Sequence, residues 1–213
     1  MYPKTIQNFI EKFSKLPGIG PRQAARLAFW MLNGEKSVRD DLKKAIESLE
    51  HEIKICPSCY FTIENGESNK STPPDNGCHF CDNPLRERKT ICVVEKETDL
   101  ATIEKSGFYK GLYHVLGGLF SALDTAVPKN LKIPELTSRI HNKNKDGAVI
   151  EEVILAISHT HEGDLTAYYL EKLLRPLKVK VTRLGRGLPY GSDVEFADAE
   201  TLSGALESRR EIK

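Results

Sequence analysis

Ile91-Cys92-Val93-Val94-Glu95 sets four apolar residues in a row and then a carboxylate. The run is strand-sized, and three more follow it: Tyr113-His114-Val115-Leu116, Val153-Ile154-Leu155-Ala156-Ile157 and Val179-Lys180-Val181. Helical stretches are expected between them near Asp99–Lys105, Pro134–His141 and Leu165–Leu174, with a polar turn over Lys143 to Gly147. Strands and helices alternating in this way imply a parallel α/β sheet with crossover helices.

Upstream the pattern is helical. Ile6, Phe9, Ile10 and Phe13 fall on one helix face. Leu16-Pro17-Gly18-Ile19-Gly20-Pro21 breaks that helix, and a second is expected from Gln23 to Leu32, ending at Asn33-Gly34. A third opens with Ser37 as its expected N-cap and keeps its period through Val38, Leu42, Ala45, Ile46, Leu49 and Ile53. Phe29 and Trp30 are expected in the core and not as platforms for stacked bases. Glu64 to Gly77, rich in Asn, Ser, Pro and Gly, reads as a solvated loop between two cysteine pairs.

Composition narrows the function. Among the 213 residues, 39% are hydrophobic and 29% charged, which fits a globular chain and neither a disordered nor a fibrous one. Val153 to Ile157 is too short to cross a bilayer, and Met1 to Lys15 is charged throughout with no signal-peptide core, so a cytoplasmic location and no membrane partner are expected. The net charge of +1 is unevenly spread. Residues 1–36 hold six Lys/Arg against two Glu, a local +4, leaving −3 for residues 37–213. Attraction to phosphate is therefore expected at the N-terminal end, and one such weak patch gains from being presented in several copies.

Cys56, Cys59, Cys78 and Cys81 form C-x2-C-x18-C-x2-C, a spacing that reads as a tetrahedral zinc site. Two residues between paired thiolates let a tight knuckle present both sulfurs to one ion, and four thiolates leave no open position, so the metal is expected to be structural. Two disulfides or an iron–sulfur cluster are the competing readings. Cys92, inside an apolar run, reads as a buried small hydrophobe.

Leu16 to Arg26 resembles the helix-hairpin-helix DNA-binding motif. Gly18 and Gly20 permit a tight turn, so that unpaired N–H groups opening the second helix can face a phosphate. Arg22 and Arg26, four residues apart, share a face and can reach flanking phosphates. Such contacts do not read bases, so binding is expected to be sequence-independent. The competing reading is a Pro-Gly turn joining two packed helices with two solvated arginines.

Glu95 ends one strand, and Glu162-Gly163-Asp164 follows another. In a parallel sheet both strand ends fall on the edge where ligands bind. The arrangement resembles the Toprim domain of primases and topoisomerases, whose carboxylates hold magnesium for phosphoryl chemistry. Acids placed to suit a helix macrodipole are an equal alternative. The segments around these acids contain no Arg/Lys cluster that would clamp a phosphate. No G-x4-G-K-[ST] stretch occurs, so no intrinsic ATPase is expected.

In this order the three parts resemble the RecR family of bacterial recombination mediators. The likeness runs over nearly the whole chain, through Leu16 to Pro21, the four cysteines, Ile91 to Glu95, Glu162-Gly163-Asp164, Gly187-Leu188-Pro189-Tyr190-Gly191, Asp198, Thr201-Leu202 and Arg209. It implies an α/β protein of four parts: a helix-hairpin-helix region over 1–54, a C4 zinc finger over 55–82, a Toprim domain over 88–184 and a C-terminal oligomerisation arm over 185–213. It implies no catalytic activity, a ring-shaped homotetramer, and DNA contact through the hairpin. It also implies partnership with RecO-like and RecF-like proteins in loading recombinase, with Glu95, Glu162 and Asp164 serving partner binding more than magnesium chemistry. Two departures stand out. The loop between the cysteine pairs is longer than expected of the family, and Ser158-His159-Thr160-His161 stands where Asn-Pro-Thr is usual. The imidazoles add ligands that suit softer metals at that edge.

Two other classes compete with a DNA-binding adaptor. A magnesium-dependent Toprim nuclease or primase would use Glu95, Glu162 and Asp164, and a zinc-ribbon interaction module would make no DNA contact. The positive hairpin separates the adaptor from the second, and a cleavage assay separates it from the first.

Overall fold

The computed structural model describes residues 2–65, 78–121, 128–142 and 148–211. The turn expected over Lys143 to Gly147 and most of the loop expected over Glu64 to Gly77 lie outside them. The chain divides into two compact units, Met1–Ile53 and Lys54–Lys213, so the parts expected at 55–82, 88–184 and 185–213 fall within one unit.

In the first unit, α1 (Lys4–Phe13), α2 (Pro21–Asn33) and α3 (Lys36–His51) follow one another. Helix α1 packs on α2, where small Ala24 and Ala28 are the buried residues and let the two backbones approach. Pro21 suits the first helical position, where its missing N–H costs nothing. Arg39 closes the other end of α2, donating to Met31 O at 2.6 Å and Gly34 O at 2.8 Å. The N-cap of α3 is Glu35 and not Ser37. Ser37 is the second helical residue, and its hydroxyl donates to the Glu35 carboxylate at 3.2 Å instead of capping backbone. Phe29 and Trp30 are not core residues: they are 39% and 55% exposed, because the α1–α2 contact is made by alanines on another face.

After α3 comes a two-stranded ribbon, β1 (Ile53–Ile55) against β2 (Thr62–Glu64), which carries the first cysteine pair at its turn. Glu64, expected to open a loop, instead ends a strand. Next come β3 (Thr90–Val94), α4 (Glu97–Ser106), β4 (Leu112–Val115), α5 (Ile133–His141), β5 (Glu152–Ala156), α6 (His161–Leu174) and β6 (Lys180–Arg183). The sheet order is β4-β3-β5-β6, and every pairing is parallel. The arm ends in α7 (Ala199–Glu207), capped by Asp198, whose carboxylate accepts from Thr201 N at 2.8 Å.

Alternation along β3 divides the core in two. Ile91 and Val93 face Leu112, Leu136, Ile140, Val153, Leu155, Leu170 and Leu174, so α5 and α6 cover one side of the sheet. Cys92 and Val94 face Leu100 of α4, Tyr113, Val115, Phe80 and the four cysteines on the other. Each large apolar side chain removed from water in this way contributes about 1.5–3 kcal/mol. Helices α4 and α6 leave β3 and β5 toward opposite faces, which makes the gap between the ends of those two strands the topological switch point where open α/β sheets bind ligands.

Candidate functional site

The hairpin has the geometry that its glycine requires. Gly18 takes φ +75°, a left-handed conformation costly for other residues, and Ile19 N donates to Leu16 O at 3.1 Å to close the turn. Gly20 has an ordinary extended φ of −85° and serves as the N-cap, its N–H donating to Gln23 Oε1 at 3.3 Å. Ala24 N pairs with Gly20 O, while the N–H groups of Arg22 and Gln23 meet no acceptor among the described residues. Arg22 and Arg26 are exposed and make no ion pair or hydrogen bond there either. Two unpaired guanidiniums thus lie within the first two turns of α2 beside an open helix start, an arrangement suited to an anion.

The ligand atoms of Cys56, Cys59, Cys78 and Cys81 lie within 4.8 Å of one another and are buried. A tetrahedron of thiolates ~2.3 Å from a zinc ion has edges of about 3.8 Å, so this set fits one ion. Cys59 Sγ and Cys78 Sγ are 3.4 Å apart, and none of the cysteines is in a disulfide. Hydrogen bonding among the sulfurs holds the Cys56 thiol low and pushes the Cys59 thiol high. Four sulfurs this close cannot all ionise without a central cation to offset their charge. The positive-φ Tyr60 (φ 63°) follows Cys59, and Cys81 N donates to Cys78 Sγ at 3.4 Å, the N–H···S contact of a knuckle. Cys92 is buried in the apolar face as expected, its thiol pushed up to about 12 by burial.

The acidic edge differs more from expectation. Glu95, Glu162 and Asp164 all lie at the C-terminal ends of β3 and β5, but they do not converge. Among the described residues the four cysteines are the one group of three or more such side chains that draws together. Glu95 accepts from Ser158 Oγ at 2.9 Å and pairs with Lys96 Nζ at 3.5 Å. Asp164 pairs with Arg183 Nη1 at 2.6 Å and Arg186 Nη2 at 2.9 Å, and those contacts hold its carboxyl below the usual carboxylate range. Glu162 is exposed and makes no such contact. The absence of nearby cations expected from sequence is therefore wrong. The signal was the end of the last strand candidate: in a parallel sheet, Arg183 at the end of β6 reaches the same edge as Glu95. Thr160 caps α6 by accepting Gly163 N at 3.1 Å, so Glu162 and Asp164 also sit where the helix dipole favours anions.

Three family models match in the order of these parts: "RecR, helix-hairpin-helix" over residues 6–49, "Toprim domain" over 89–185 and "RecR, C-terminal" over 187–210. A protein of Bifidobacterium longum subsp. infantis named "Recombination protein RecR" is 44% identical over 210 residues, covering 99% of this chain and 98% of its own. The chain belongs to the RecR family. A RecR protein of Pelotomaculum thermopropionicum is 42% identical over 212 residues, covering 100% of this chain and 98% of the relative, and one of Bifidobacterium animalis subsp. lactis is 42% identical over 211 residues, covering 99% and 98%. The RecR models meet at the hairpin and the arm, with the Toprim match between them carrying the sheet and its acidic edge. No described helix is long and apolar enough to cross a membrane.

Proposed function

We propose that this RecR-family protein is a cytoplasmic, non-enzymatic recombination mediator that binds single- and double-stranded DNA without sequence preference. The observation that carries this reading is the hairpin end of α2, where Arg22 and Arg26 stand exposed and unpaired beside open N–H groups. Gly18 and Gly20 shape the turn that leaves them open. The four cysteines would hold Zn2+ as a structural ion, since a tetrahedral set of four thiolates has no position left for substrate.

We place Glu95, Glu162 and Asp164 in binding a basic partner, a RecO-like protein first and a RecF-like protein beside it. Exposed Glu162 leads that contact, and charge reversal at Glu162 and Asp164 is expected to abolish it while DNA binding persists. Self-association into a ring, with a tetramer as the expected state, is supported by apolar side chains left in water in the isolated chain. Trp30, Ile46 and Leu49 lie on the first unit, and Tyr190 and Phe196 lie on the arm.

The test is incubation with labelled single- and double-stranded DNA and magnesium, reading binding and cleavage together. Binding with no cleavage is expected. Cleavage or primer synthesis that needs magnesium and disappears in Glu95→Gln would instead make the protein a Toprim nuclease or primase.

A further inference from the structure

Arg186, at the start of the C-terminal arm, reaches back to two acceptors on the Toprim edge. Its Nη2 donates to both carboxylate oxygens of Asp164, at 2.9 and 3.1 Å, and its Nε donates to His159 Nδ1 at 3.0 Å. His159 Nε2 lies 3.1 Å from Leu184 O. A carbonyl only accepts, so Nε2 carries the ring proton. A guanidinium only donates, so Nδ1 offers a lone pair. The two contacts together select one neutral tautomer of the imidazole.

The same residue is joined to the rest of the arm. Gly204 of α7 lies so close to the Arg186 side chain that an added Cβ would come 2.6 Å from Arg186 Cβ. Ser208 Oγ donates to Arg186 O at 2.6 Å. His159, Arg186, Gly204 and Ser208 therefore link the end of the Toprim sheet to α7.

We propose that His159 is a proton-sensitive latch that holds the C-terminal arm against the Toprim edge and releases it when the ring is protonated. A proton on Nδ1 would face the Nε–H of Arg186, donor against donor, and would set a third cation beside Arg183 and Arg186. Asp164 is the facing carboxylate, and both arginines already occupy it. Helix α6 also carries His161 and Glu162 in its first turn, and Leu184 brings only its carbonyl. Burial and then the Arg183 charge lower the His159 pKa from the ordinary imidazole value, against the opposing pull of Leu184 O and Asp164.

The latched state binds fewer protons than the released one, so the latch is complete above the ordinary histidine value of ~6.5 and weakens as pH falls through it. At pH 5.5, one unit lower, the released population rises by at most about tenfold. Release also takes Arg186 off the Asp164 carboxylate and leaves Arg183 as its partner.

Hydrogen–deuterium exchange on the full metal-loaded chain tests this, with exchange times corrected for the intrinsic pH dependence. Uptake in residues 187–208 of the wild type is expected to be several-fold faster at pH 5.5 than at pH 7.5. His159→Gln, which cannot take up a proton in this range, is expected to lose that response, and Arg186→Ala to exchange rapidly at both pH values. Melting curves of both variants check that the sheet is intact. Uptake in the wild type that ignores pH, a response that survives in His159→Gln, or an Arg186→Ala arm as protected as wild type at pH 7.5 would each overturn the latch.

Discussion

Val115, the last residue of β4, donates its backbone N–H to the carbonyl of Cys59 at 2.8 Å. Strand β4 is an edge of the sheet, so this bond joins the cysteine knuckle to the Toprim core. Arg139 of α5 adds a second tie, donating to Tyr113 O at 2.6 Å and reaching Cys81 Sγ at 3.7 Å. The knuckle covers part of one sheet face and closes an edge that would otherwise stand open.

Metal loss should therefore destabilise the sheet and not the knuckle alone. Metal-linked folding at such sites is worth on the order of 10 kcal/mol. One zinc per chain is expected by elemental analysis, and both chelation and Cys59→Ser should lower the melting temperature of the second unit. An unchanged melting curve in Cys59→Ser would show that the site carries no structural load.

Arg22→Ala with Arg26→Ala should weaken DNA binding uniformly across sequences. Each lost phosphate contact should flatten the dependence of log affinity on log salt by about one unit. Titrations at several salt concentrations check this. A double variant that matches wild type at every concentration rules the hairpin out as the DNA contact.

Arg86 packs against both the Phe80 and Tyr113 rings, at 4.9 and 5.3 Å from their centres, and pairs with Glu104. Its side chain is 9% exposed and that of Glu104 35%. Burial raises the Glu104 pKa, but the hydrogen bonds from Arg86 and Tyr113 lower it further, leaving it below the ordinary range. A depressed carboxyl stabilises the fold above its unfolded value, and that contribution is lost as pH falls through the folded one. Stability should thus decline below the ordinary glutamate value of 4.5. Glu104→Gln should flatten this decline in denaturant titrations across pH. Arg86→Ala, which leaves a partly exposed carboxylate unpaired, should cost about 2 kcal/mol, less than for a fully buried pair.

A Cβ on Gly163 would sit 1.9 Å from Ser158 O, a backbone atom that cannot swing away. Gly163→Ala should push α6 from the end of β5 and cost about 1–3 kcal/mol in chemical denaturation. A variant as stable as wild type would mean that the helix start tolerates displacement.

The strands and helices of the parallel sheet and the four clustered cysteines were legible in the sequence, whereas β1 and β2, at three residues each, are too short to show a period. Apolar runs at Ile91 to Val94 and Val153 to Ile157 have strand length and form β3 and β5, and the cysteine spacing marks a metal site because each C-x2-C pair is local. Tertiary structure alone decided the character of the acidic edge. Arg183 and Arg186 lie 19 and 22 residues from Asp164 and meet it only because β6 pairs beside β5 and the arm turns back. It decided also that Phe29 and Trp30 stay partly exposed, since apolar periodicity marks a face for burial without saying which element covers it. Local patterns carry local geometry, whereas charge pairing and coverage depend on which distant segments the sheet order makes neighbours.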